Sequence, residues 1–151
     1  MSRIRRILLA TDFSPASMPA LAAAFDLAKA LKAELLFAHA LTPIVAVAGV
    51  YPPYVDLARI ETAGRAAARS QLERLEAAAR KRGLRATTVL TKGAAADQIV
   101  RLARTRKADL VVMGTHGLTG LSRLVMGSVA MRVVSGAACP VMTVRSGRKS
   151  A

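Results

Sequence analysis

Gly114, Gly117, Gly127 and Ser128 follow one another as Gly, two residues, Gly, nine residues, Gly-Ser, in a stretch that runs from a short apolar segment into a helix-like one. Residues of these types in this order suit phosphate chemistry. Glycine adopts positive φ readily and lets backbone N–H groups come close to an anion. A helix opening at Ser128 adds unpaired N–H donors and the positive end of its dipole. The Ser128 hydroxyl can cap that helix or go to a phosphate oxygen or a metal ion. Glycines that serve only the turns of their own loop are the competing explanation. Neither the dinucleotide fingerprint G-x-G-x-x-G nor the phosphate loop G-x-x-x-x-G-K-[ST] occurs in the chain.

Other side chains could join such a loop. Asp12, just beyond an apolar run at the N-terminus, is placed either to accept hydrogen bonds from sugar hydroxyls or to bond nearby backbone N–H groups in a turn. His116, inside the loop, can approach a phosphate or face solvent. Ser122 and Arg123 lie within reach of a triphosphate held there, although Arg123 equally suits a solvated helix face. His39 sits in an apolar strand and reads as a satisfied core histidine. Cys139 before Pro140 reads as a small buried residue rather than a nucleophile.

The loop, together with Ile7-Leu8-Leu9-Ala10-Thr11-Asp12-Phe13-Ser14 at the start and Cys139-Pro140-Val141-Met142-Thr143-Val144 at the end, resembles the ATP-binding branch of the universal stress protein family. The resemblance covers nearly the whole chain, and the long loop motif is its specific part. It implies ATP, accompanied by magnesium, as the ligand, with contacts from Asp12 to the ribose, from the Ala40 backbone to the adenine, and from Met113, Gly114, Gly117, Gly127, Ser128 and Val129 around the loop. From the residues themselves, no catalytic residue and no metal ligand set are expected. It also implies a homodimer formed by antiparallel pairing of the last strand. The function expected is regulatory or stress-related, with nucleotide biasing conformation or assembly. A basic module whose glycine loop binds other phosphates, nucleic acid among them, is the alternative. Between Gly114 and Ser128 there is no Asp or Glu, so little ATP hydrolysis is expected.

The elements that must position these residues alternate. Apolar runs predict strands at Arg6 to Thr11, Glu34 to Ala40, Arg85 to Leu90, Leu110 to Met113 and Val141 to Arg145. Helical periodicity predicts helices from Ser17 to Leu31, Leu57 to Lys81, Ala94 to Arg106 and Ser128 to Gly136, with Gly83 ending the second. A start at Ser17 keeps Pro19 out of the helix interior, where Ser14-Pro15 as the cap would not. Strands alternating with helices indicate an α/β fold, an open five-stranded parallel sheet with helices on both faces. The resemblance implies a Rossmann-like architecture of the adenine-nucleotide alpha hydrolase type, with strand order 3-2-1-4-5. The long connection from Leu41 to Asp56, apolar and carrying Pro43, Pro52 and Pro53, could cover a bound base, pack on a partner, or fold on its own side chains.

Composition sets the outer limits. A chain of 151 residues holds one core, read as a single domain over 1–146 with a polar tail at 147–151. At 53% hydrophobic and 21% charged residues it has the balance of a globular protein. The lone Cys139 rules out a disulfide framework within the chain and favours a reducing compartment. No apolar stretch reaches the ~20 residues of a membrane helix. A cytoplasmic protein is therefore expected, without membrane association. The net charge of +14 attracts phosphates, yet aromatics are only 3% and the basic residues look scattered over several helices. A nucleic-acid partner is therefore not expected.

Overall fold

In the computed structural model, residues 3–44, 50–116 and 126–147 are described. β1 (Arg6–Ala10) leads through a 3-10 turn (Pro15–Ser17) into α1 (Met18–Leu31). β2 (Glu34–Leu41), α2 (Leu57–Lys81), β3 (Ala86–Lys92), α3 (Ala95–Thr105), β4 (Leu110–Gly114), α4 (Ser128–Gly136) and β5 (Val141–Val144) follow. The strands form one five-stranded parallel sheet in the order β3-β2-β1-β4-β5. Both the topology and the strand order match expectation.

Alternation along the strands splits the core into two layers. Ile7, Leu9, Leu35, Phe37 and Val112 pack against Ala24, Phe25 and Ala28 of α1 and Leu72 and Ala79 of α2. Leu8, Leu36, Val111 and Met113 face the other way, against Ile99 and Leu102 of α3 and Ala130 and Val133 of α4. Strands buried on both sides must be apolar at consecutive positions, which is why β1 and β4 read as unbroken apolar runs.

The ends of the elements hold most of the departures from the sequence reading. β3 runs on to Lys92 because β2 continues beside it, Ala40 opposite Thr91 and Leu41 opposite Lys92. Ser14 and Ser17 both mark boundaries: Ser14 precedes the 3-10 turn with Pro15 at its start, and Ser17 is the N-cap of α1. Pro19 then falls at the second position of α1, where its missing N–H would have had no intrahelical acceptor. At the end of α2, Gly83 takes φ +73°, its N–H donates to the Arg80 carbonyl, and the Leu84 N–H donates to Ala79. This pair of bonds is a Schellman motif. α1 and α3 close in the same way with lysines in the left-handed position, Lys32 at φ 54° and Lys107 at φ 53°. The Ala33 N–H reaches Ala28 and the Ala108 N–H reaches Ala103.

Gly64 lies on the exposed face of α2, and a Cβ added there meets nothing within 4 Å. Its only effect on stability is the backbone freedom it gives the unfolded chain. Gly64→Ala should therefore raise unfolding free energy by about 0.5–1 kcal/mol. Urea denaturation would register this as a higher midpoint at unchanged slope; an unchanged or lower midpoint would contradict it.

Candidate functional site

β1 and β4 are neighbours at the centre of the sheet, but their chains turn away to opposite sides, β1 toward β2 and β4 toward β5. A crevice opens beyond the carboxyl ends of strands at such a switch point. Here it is a cavity of about 310 Å³, walled by the ends of β1, β2 and β4 and by the first turns of α3 and α4. Asp12, Ala40, Met113, Gly114, Gly127, Ser128 and Val129 all line it. Gly117, Ser122 and Arg123 lie outside the described residues. The cavity also takes in Thr11, His39, Thr42, Ala95, Ile99 and Thr115, which the sequence reading did not single out as site residues. Thr11 carried a signal, since it sits at the end of a strand beside Asp12. Ala95 and Ile99 had none, because only the crossover of α3 brings them over the sheet.

The two ends of the glycine loop are tied together. The Gly127 N–H donates to the Thr115 carbonyl at 2.7 Å, while the Thr115 N–H donates to Val144 of β5 at 3.1 Å. Gly127 has φ −61° and ψ 153°, and Gly114 is likewise outside the left-handed region. The expectation that these two glycines supply positive φ is therefore corrected: contact is what excludes a side chain at Gly127. A Cβ there would lie 3.0 Å from the Thr115 carbonyl oxygen, tighter than ordinary packing. Gly114 is less confined, its nearest neighbours being the Ala16 and His116 carbonyl oxygens at 3.4 Å.

Gly127 is also the N-cap of α4, so Ser128 is the first helical residue rather than the cap, and no side chain bonds the first turn. The N–H groups of Ser128, Val129 and Ala130 have no acceptor within the helix, because the first carbonyl available, that of Gly127, receives the Met131 N–H at 3.0 Å. All three residues line the cavity. Backbone and dipole alike make such a helix end favourable to an anion.

Opposite it, the turn after β1 is held by its own side chains. Asp12 Oδ1 accepts the Ser14 N–H at 2.9 Å, Thr11 Oγ1 accepts the Phe13 N–H at 3.0 Å, and the Ser17 hydroxyl donates to the Ser14 carbonyl at 2.7 Å. Asp12 thus makes the turn contact while also facing the cavity; the two roles weighed for it are compatible, since a carboxylate accepts through both oxygens. Phe13 is left-handed at φ 63° and lies against the His39 ring, 4.5 Å between centroids. His39 Nδ1 is 2.8 Å from the Thr11 carbonyl, which can only accept, so this nitrogen carries the proton. His39 is satisfied, as expected, but it is partly buried and borders the cavity instead of lying in the core. His116 Nδ1 and Thr115 Oγ1 are 2.9 Å apart.

Asp12 is the carboxylate of the lining. Asp109 lies at the far end of β4, where Oδ2 accepts the Arg5 and Arg6 N–H groups at 2.8 and 2.9 Å. Cys139 is half-buried at that same end rather than fully buried. Burial, and after it the charge of Asp109, pushes its thiol above the ordinary range, which suits a packing residue and not a nucleophile. Among the described residues no three His, Cys, Asp or Glu side chains group to hold a metal ion, and no helix is long and apolar enough to cross a membrane. Residues 50–56 of the long connection stay outside the cavity lining, with Tyr54 84% exposed.

A sequence model of the universal stress protein family matches residues 3–145. A universal stress protein of Methanocaldococcus jannaschii is 34% identical over 149 residues, covering 96% of this chain and 84% of that protein. One from Thermus aquaticus is 38% identical over 141 residues, covering 93% and 98%. Among solved structures, the universal stress protein UspA of Lactobacillus plantarum superimposes with a TM-score of 0.81 at 23% identity, covering 96% of this chain and all of that one. A universal stress protein in complex with cAMP superimposes with a TM-score of 0.72 at 26% identity, covering 97% and 100%.

The tie between Gly127 and Thr115 makes a stability prediction. Gly127→Ala should cost about 1–3 kcal/mol, the usual penalty of overpacking, although its φ and ψ suit any residue. Thermal and urea unfolding would read the loss, and a variant as stable as the parent would show that the carbonyl gives way freely.

Proposed function

Because the chain belongs to the universal stress protein family, we propose that it is a regulatory, stress-response protein that binds ATP in the cavity beyond β1 and β4, the nucleotide biasing its conformation or assembly. The observation that carries this reading is the convergence of three unlike surfaces on one cavity: an apolar wall, a carboxylate, and the open first turn of α4. Ala38, Ala40 and Ile99 offer flat apolar contact for a base, and the Ala40 backbone would meet its edge. Asp12 would accept from ribose hydroxyls through the oxygen opposite the Ser14 contact. The N–H groups of Ser128, Val129 and Ala130 would take phosphate oxygens, and the lack of a side chain at Gly127 leaves them open. That a family member of known structure binds cAMP supports a nucleotide ligand.

Magnesium fits as the companion of the phosphates rather than as a resident ion. It binds oxygen donors and commonly arrives with substrate phosphates, and Ser128 supplies one hydroxyl at the mouth of α4. Hydrolysis is a different matter. Rapid turnover needs a group that deprotonates or orients water. Asp12 already serves the turn and the sugar, and Asp109 is at the other end of the sheet. The protein would hold ATP and change state by exchange.

Calorimetry with ATP and magnesium tests both parts. The parent should bind, and Asp12→Asn, which keeps an acceptor for Ser14 but loses the charge, should bind roughly ten- to a hundredfold more weakly, as a charge-assisted bond worth about 1.5–3 kcal/mol requires. In the same samples phosphate release should stay far below the ~10 per second of an ordinary enzyme. No heat with ATP, or equal affinity in Asp12→Asn, would sink the assignment.

Assembly rests on β5. It is an edge strand, and Met142 is 39% exposed on it. Unpaired apolar edges invite pairing, and a second copy can pair antiparallel about a two-fold axis. Light scattering at about 10–50 µM should report a dimer, a concentration range that reveals even micromolar interfaces; a monomer there would dismiss β5 as the contact.

A further inference from the structure

Many of the basic residues that look scattered along the chain gather at one place in space. In a parallel sheet with helical crossovers, every strand starts, and every helix ends, at the same pole. Here that pole is opposite the cavity. Arg3 and Arg5 precede β1, and Lys32 precedes β2. Arg85 precedes β3, and Arg106 and Lys107 precede β4; all six side chains are exposed. Backbone bonds stitch these segments into a row: the Leu35 N–H donates to Arg85, the Glu34 N–H to Arg5, and the Asp109 N–H to Arg6. Four strand starts side by side span about 14 Å at the usual strand spacing.

Of the acidic residues, Glu34 and Asp109 stand in this row. Glu34 pairs with Arg6, and Asp109 is taken up by the Arg5 and Arg6 backbone N–H groups. Arg80 is paired with Glu76 on α2. None of the six exposed cations has an ion pair among the described residues. Six unpaired cations of a chain whose net charge is +14 therefore stand together at this pole.

Complementing helix dipoles does not account for it. α1, α2, α3 and α4 all end here, and each contributes about −0.5 charge, about −2 in all. Lys29, Arg80, Lys81 and Arg104, in the last turns, already answer that. Lys32, Arg106 and Lys107, at the ends of α1 and α3, share in that role, but six further cations exceed what the dipoles call for and repel one another.

We propose that this pole is a docking surface for the phosphodiester backbone of duplex nucleic acid, bound without regard to sequence. Clustered guanidinium groups suit phosphates, which they bind through paired N–H donors. Single-stranded nucleic acid calls for stacking aromatics, but Phe25 is buried beneath Arg82, and the exposed tyrosines, Tyr51 and Tyr54, lie in the connection that precedes α2 at the other pole. A bilayer surface calls for apolar side chains that insert. None of the exposed large apolar residues lies in the row: Met18 and Ile60 open α1 and α2 at the cavity end, and Met131, Val134 and Met142 belong to α4 and β5. What is left is charge without apolar or stacking surface, as backbone-only binding of a duplex requires. This surface is separate from the cavity and does not depend on the reading given to it.

The test is fluorescence anisotropy with a labelled random-sequence DNA duplex, the full chain, and saturating ATP. Binding should appear at low salt and weaken steeply as salt rises. The triple variant Arg3→Glu, Arg85→Glu, Arg106→Glu should lose at least about tenfold in affinity and flatten the salt slope by about 2–3, one phosphate contact being worth about 0.9. The matched control Arg59→Glu, Arg69→Glu, Arg74→Glu changes net charge equally on the exposed face of α2 and should keep most of the affinity. A triple Arg→Gln variant at 3, 85 and 106 serves if the reversed one does not fold. Equal losses in pole and control variants, no duplex binding at low salt, or preference for phosphatidylserine vesicles over duplex would each overturn the proposal.

Discussion

The hydrogen bond from the Gly127 N–H to the Thr115 carbonyl is the constraint on which the rest of the site depends. Thr115 is fixed from the other side by Val144, so one residue at the end of β4 carries the edge strand, the return of the glycine loop and the start of α4 together. A buried hydrogen bond contributes only about 0.5–1.5 kcal/mol net, but leaving its partners unmade costs more. Here the bond also sets a direction. With Gly127 held against Thr115, α4 starts at the cavity, and the N–H groups of its first turn, which have no acceptor within the helix, lie along its wall. A side chain at 127 would press on the carbonyl and tilt that turn.

A second constraint, parallel strand direction, gives the molecule two unlike poles. The first turns of α3 and α4 meet at the cavity with their positive dipole ends, and that pole keeps Asp12 and an apolar wall. The opposite pole gathers the C-terminal turns of all four helices and basic residues between elements. Both poles favour anions, but for different reasons: one through oriented backbone in a shaped cavity, the other through exposed side-chain charge. The first is selective because geometry decides what fits. Contacts at the second would be tolerant and sensitive to salt, because long side chains follow a charge wherever it lies.

Three helices closing with the same backbone motif illustrate how unevenly local sequence reports local structure. At Gly83 the residue type announces the left-handed position. Lys32 and Lys107 occupy the same position without announcing it. There the cost is offset by the capping bonds at Ala28 and Ala103 and by the favourable placement of a cation at the negative end of a helix.

By itself the sequence determined the kinds of element and their succession. Helices at Leu57–Lys81 and Ser128–Gly136 agree with their periodicity to the residue, because amphipathic repeat and terminal signals are local properties. It also carried the glycine spacing and Asp12, hence the candidate site's most polar members. It did not determine strand order, which came from resemblance, since pairing between β1 and β4 leaves no periodic trace across a hundred residues. The length of β3 depended on the neighbour that extends beside it, and the need for glycine at 127 on a carbonyl twelve residues away. Ala95 and Ile99 became part of the cavity only when α3 crossed over the sheet. The gathering of arginines at one pole is the clearest case. Each was visible as a charge, but only the common direction of the strands, enforced by right-handed crossovers, brought their separate segments to one end.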